Sequence, residues 1–182
     1  MTNHRVYIDP GHGGLDNGAS YGYVDEDETN LNIGYLLDYE FKASGIITFM
    51  TREKDEYVSL QQRSLLANIK QVDAFISIHC DAWHSETSSG MTVHISPKAS
   101  TGAETLAKAI VVQLSIQFPG HKQRGIKKSN FHVLNATKMP AVLVECEFLS
   151  NPDTRKFLKK PENQKRLAQT IHRGALNYFN NI

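Results

Sequence analysis

The chain has 182 residues, 20 Lys and Arg against 19 Asp and Glu, a formal charge of +1, and 40% apolar residues. This length and composition excludes disorder, coiled coil and collagen and suits one globular domain that buries roughly 70% of its unfolded surface. So even a charge balance offers no surplus of cation for nucleic acid or for a polybasic membrane clamp, and neither partner is expected.

The N-terminus reaches a strand-like segment within a few residues and lacks the basic region and apolar run of a secretory signal, so synthesis in the cytoplasm is expected. No stretch approaches the roughly 18 apolar residues of a membrane span. Val6-Tyr7-Ile8 predicts a first strand, ended by Asp9-Pro10-Gly11, and a polar Gly-rich loop follows to about Glu28. Ile33, Leu37 and Phe41 predict a helix over 30–44, stopped by Gly45. A strand is expected over 46–51, a helix over 60–70 through Leu65, Leu66 and Ile69, and a buried strand over 74–79. Further on come a strand over 91–96, a helix over 103–118, strands over 131–134 and 141–147, and a closing helix over 161–180. The basic cluster Lys122, Arg124, Lys127 and Lys128 reads as a solvated loop. The alternation predicts an α/β fold: a three-layer domain over residues 1–182, with a mostly parallel twisted sheet of about six strands and helices on both faces.

Polar side chains stand where apolar strands run out. His12 follows the first strand, His79 ends the third, and Glu145 closes Val142-Leu143-Val144. Ligands of open α/β sheets bind at the carboxyl ends of strands, so these residues are expected to share a crevice with Glu28, which stands ahead of the first helix. Two neutral imidazoles and a carboxylate are the donor set of catalytic zinc, and a second carboxylate outside the coordination shell can carry protons. Blander roles compete with this one. His12 and its glycines suit a turn, Glu28 suits the positive end of a helix, and His79 suits a satisfied core histidine. A carboxylate at position 145 is harder to dismiss, because burial without a partner costs several kcal/mol. His84, His94 and His132 are reserve ligands. Cys80 and Cys146 alternate away from His79 and Glu145, so both thiols are expected in packing rather than in a cleft. Residue 16 is Asp, which breaks G-x-G-x-x-G, and no G-x-S-x-G occurs.

The string V-Y-I-D-P-G-H-G-G from residue 6, E-T-N-L-N-I from Glu28, T-R at 51 and 52, S-L-Q-Q-R with A-N, F-I-S-I-H ending at His79, R-G-I-K from 124, and M-P-A-V-L-V-E with F-L-S-N-P come in a family's order. They resemble the zinc-dependent N-acetylmuramoyl-L-alanine amidases of the amidase-3 family over roughly residues 5–180. The resemblance implies a hydrolase of bacterial peptidoglycan that cuts the amide between N-acetylmuramic acid and the first L-alanine of the stem peptide. It implies one Zn2+ per chain on His12, Glu28 and His79, with Glu145 as catalytic base and acid. Glu28 is taken from the acidic run 25–28 because its distance to Asn32-Ile33 fits the family pattern, and Glu147 stands where the family usually has glycine. With no export signal, release onto the wall from within is expected, as for a phage endolysin, with a mother-cell autolysin as the alternative and a monomer favoured. Three rival classes stand beside it: a wall carboxypeptidase using Arg52, Arg63 or Arg124 to hold a terminal carboxylate, a non-catalytic wall-binding module, and a cysteine hydrolase.

Overall fold

Strand alternation decides which side of the sheet each residue covers, and here the two sides differ sharply in chemistry. A computed structural model describes residues 4–181. Its elements in chain order are β1 (Arg5–Pro10), β2 (Ser20–Tyr21), β3 (Val24–Asp25), α1 (Glu26–Ala43), β4 (Ile47–Met50), α2 (Leu60–Lys70) and β5 (Ala74–Asp81). There follow β6 (Met91–Ile95), α3 (Thr101–Gln117), β7 (Gln123–Lys128), α4 (His132–Ala136), β8 (Ala141–Phe148), α5 (Pro152–Leu158) and α6 (Pro161–Phe179). The main sheet has six strands in the order β4-β1-β5-β8-β6-β7, parallel throughout except where β6 meets β8. The three-layer, mostly parallel architecture expected from the sequence is therefore the observed one.

One sheet face is apolar: Val6, Ile8, Ala74, Ile76, Ile78, Val142 and Val144 pack with Cys80 and Cys146 under α1, α3 and α6. These helices turn inward the residues their periodicity predicts, Leu37 and Phe41 of α1, Leu106 and Ile110 of α3, Leu167 and Ile171 of α6. The other face carries a smaller cluster, Tyr7, Phe75, Ala141 and Leu143 beneath Ala67 of α2 and Val133 and Leu134 of α4. The same face bears Asp9, Ser77, His79, Glu145 and Thr92, by the pairings Asp9 with Ser77, His79 with Glu145, and Glu145 with Thr92. No helix among the described residues is long and apolar enough to cross a membrane.

Four expectations need correction. The segment 131–134 is not a strand: His132–Ala136 forms the short helix α4, since a four-residue apolar run fits either state. Arg124, Lys127 and Lys128 of the basic cluster lie not in a loop but in the edge strand β7, where Lys127 and Lys128 are exposed as edge strands favour. Helix α1 begins at Glu26 rather than Asn30, because the β2–β3 hairpin ends directly at its first turn. Leu65 and Ile69 of α2 are exposed, while Arg63, Ser64 and Ala67 face inward.

Candidate metal centre

His12 sits in the turn after β1 with φ 62°, a left-handed conformation uncommon for a residue with a side chain. His79 lies near the end of β5, and the chain of Gly11 passes it so closely that a Cβ there would fall 2.2 Å from the ring. The two rings are 5.0 Å apart, edge to face. Between them stands Glu26, the first residue of α1. Its Oε1 lies 3.2 Å from His12 Nε2 and 2.9 Å from His79 Nδ1. Ligand atoms of these three residues all fall within 4.8 Å of one another.

The structure thus brings Glu26, and not the Glu28 expected from the sequence, to the two imidazoles. Glu28 is exposed, two residues further along the same turn, and its place among the first-turn acids Glu26, Asp27 and Glu28 suits the positive end of the helix. Sequence reasoning also missed Asp16, whose Oδ2 meets His12 Nδ1 at 2.9 Å and so fixes which ring nitrogen faces Glu26. Glu26 Oε2 accepts from the Ala19 N–H at 2.9 Å, and Oε1 from that of Cys80 at 3.2 Å, so the carboxylate is aimed from both sides.

Electrostatics follow from this packing. Burial alone would depress the His12 pKa, but hydrogen bonds and charge from Glu26 and Asp16 raise it to about 9. Burial would raise that of Glu26, yet His12 and His79 hold it far below the usual carboxylate range. The donor set fits a divalent ion of borderline softness such as zinc: two imidazoles and one carboxylate, converging and ready to shed a proton.

Glu145 is paired in register with His79 on the neighbouring strand and is 9% exposed. Its Oε2 has no hydrogen-bond partner. Desolvation, reinforced by the carboxylates of Glu26 and Asp81, pushes its pKa well up. A cleft of about 350 Å³ joins His12, Glu26, His79 and Glu145, walled on its far side by Tyr57, Leu60 and Phe131.

The reserve histidines lie outside the cluster, although His132 lines the cleft. His94 bonds Ser129 and packs at a tilt against Phe131, His84 packs at a tilt against Trp83, and His132 faces Ser64, so none joins the cluster. Both thiols are buried on the apolar face, where burial raises their pKa, and this removes the basis for a cysteine hydrolase. Glu147 points away from the cleft, accepting from the Gly90 N–H at 2.6 Å and meeting His121 Nδ1 at 2.9 Å.

A family model described as N-acetylmuramoyl-L-alanine amidase matches residues 6–177. The chain belongs to this family. It is 35% identical over 180 residues to the N-acetylmuramoyl-L-alanine amidase LytC of Bacillus subtilis, a match covering 98% of this chain and 36% of LytC. It is 37% identical over 187 residues to the probable cell wall amidase LytH of Staphylococcus aureus, covering 98% of this chain and 60% of LytH. The chain thus spans about a third of the length of LytC and three fifths of that of LytH. Among solved structures, an N-acetylmuramoyl-L-alanine amidase from Clostridium difficile 630 shares the fold with a TM-score of 0.95 and 33% identity, over 99% of this chain and 98% of that one.

Proposed function

We propose that this protein hydrolyses the amide between N-acetylmuramic acid and L-alanine in peptidoglycan, with one zinc ion held by His12, Glu26 and His79 and with Glu145 as base and acid. In this reading residues 1–182 form one catalytic domain. The observation that carries it is the pair of neighbours on β5 and β8: His79 in the imidazole-carboxylate cluster and, beside it, a buried carboxylate with a free oxygen. Zinc, when bound, supplies Lewis acidity toward the scissile carbonyl and the attacking water.

The chain's own residues do the rest. Glu145 takes the proton from the attacking water through Oε2, and its raised pKa lets it keep that proton until the alanine nitrogen departs. Asp16 fixes the His12 ring, and the Tyr57, Leu60 and Phe131 wall offers apolar surface to the methyl groups of a stem peptide.

The carboxypeptidase alternative weakens on the arginines. Arg52 and Arg63 are buried and bonded to backbone carbonyls, and Arg124 bonds the Ser89 carbonyl while lying over the Phe148 ring. A complete cluster beside a free carboxylate likewise disfavours a non-catalytic wall-binding module. The curated relatives named above come from bacteria, which supports a role in wall turnover from the bacterium's own side; delivery by a phage would use the same chemistry. Digestion of purified walls tests the activity: new N-terminal alanine should appear, abolished by chelation and restored by zinc, whereas release of free terminal amino acid would overturn the proposal.

A further inference from the structure

Two arginines lie beneath the site and take no part in the chemistry above. Arg52 is 1% exposed and Arg63 3%. A guanidinium buried this deeply is tolerated only if its N–H groups are answered. Here they are answered mainly by main-chain carbonyls. Arg52 donates from Nε to Pro10 (3.1 Å), from Nη1 to Lys54 (3.2 Å), and from Nη2 to both Gly11 (3.0 Å) and Asp27 (2.6 Å). Arg63 donates from Nε to Val58 (2.9 Å), from Nη1 to Pro10 and to Asp9 Oδ1 (both 2.8 Å), and from Nη2 to His12 (2.7 Å).

These acceptors converge on the three ligand-bearing segments. Gly11 and His12 form the turn of the first imidazole, and Asp27 adjoins Glu26. Asp9 Oδ2 accepts from the Ser77 hydroxyl at 2.7 Å, two residues before His79. One nitrogen, Arg52 Nη2, therefore ties the His12 turn to the first turn of α1, and the chain Arg63-Asp9-Ser77 ties the same turn to β5. The turn needs such restraint, because His12 stands at φ 62° and a left-handed non-glycine residue persists only when its surroundings over-determine it. The clamp also accounts for the inward polar face of α2, which carries Arg63.

We infer that Arg52 and Arg63 are positioning residues that hold the three metal-binding segments at coordination spacing before a metal arrives. The inference rests on the metal site proposed above. Fork geometry matters as well as charge, since a lysine keeps the cation but cannot answer several carbonyls in one fixed plane.

The test compares Arg52→Lys and Arg63→Lys with the parent chain, each stripped of metal and checked for fold by circular dichroism. Zinc affinity is read by competition with a chromophoric chelator, and ligand geometry by the visible spectrum of the cobalt(II) form. Each folded variant should bind zinc about 10- to 100-fold more weakly. Its cobalt band should shift, and at saturating zinc kcat should fall with KM near the parent value. One folded variant suffices to decide. A lower Tm with parent-like zinc affinity and cobalt spectrum overturns the inference, and so does failure of both variants to fold, which would make the arginines supports of the fold alone. If the parent chain itself takes up neither zinc nor cobalt, the metal reading falls, and this inference with it.

Discussion

Glu26 and Glu28 occupy the first turn of α1 two positions apart, about 200° around the helix axis, so only one of them can enter the cleft. Glu26→Gln should abolish zinc uptake, while Glu28→Gln should leave zinc content and wall hydrolysis within about twofold of the parent. Metal analysis alongside release of dye-labelled wall checks both, and zinc loss in the Glu28 variant would restore the sequence assignment. Glu145→Gln should keep the metal yet lower turnover by roughly 10²- to 10⁴-fold. A proton must also leave when zinc enters, because His12 with a pKa raised to about 9 is protonated at neutral pH and a coordinating imidazole is not. Zinc affinity should accordingly fall as pH drops, and calorimetry in buffers of different ionisation enthalpy should count at least one proton released near pH 7; a count of zero contradicts it. His12, His79 and Glu145 were legible as candidates because polar groups within or just beyond apolar strands need partners. The choice within the acidic run 25–28 was not. It depends on where α1 begins, and that is set by the Glu26 N–H meeting the Ala19 carbonyl and the Asp27 N–H meeting that of Asn17, contacts no periodicity encodes.

At the scale of elements, α2 inverts the usual polarity of a surface helix. Leu65 and Ile69 point to water, while Arg63 bonds inward to the His12 turn and Ser64 and Asn68 to the two ends of α4. Leu65→Gln should therefore change stability by less than about 0.5 kcal/mol. Leu37→Ala, at a fully buried position of α1, should lose about 2–5 kcal/mol. Urea unfolding of the two variants separates them, and a large loss at Leu65 would place that side chain in the core after all. Most elements were readable for the opposite reason: α1, α3 and α6 bury an apolar stripe against the apolar sheet face, so the period in the sequence and the contact in space coincide. The bounds of α2 were legible but its buried face was not, because Leu65 and Ile69 point to water; β7 escaped because Ile126 is its one apolar residue, and α4 because Phe131 to Leu134 is too short to reveal its period.

The whole molecule divides its sheet between an apolar side that carries stability and a polar side that carries titratable groups, and the second must make the fold sensitive to acid. His94 on β6 shows the sign. Burial, with the nearby charges of Lys127 and His79, lowers its pKa from 6.5 to about 4. Its Nδ1 meets the Ser129 hydroxyl at 2.7 Å. Above pH 6.5 the group is neutral in folded and unfolded chains alike and contributes no pH dependence. Between about 6.5 and 4 the unfolded chain takes up a proton that the folded chain refuses, so stability falls as pH drops, and below about 4 the loss levels off. Glu145 has the opposite sign, since a carboxyl with raised pKa gains stability as pH falls, and a single melting curve would mix the two. Comparing His94→Asn with the parent across pH 7 to 4 removes the mixture: the difference in unfolding free energy should swing toward the variant by on the order of 1–3 kcal/mol after solvent screening. Parallel stability curves for the two proteins over that range would show that His94 is protonated as readily in the fold as out of it.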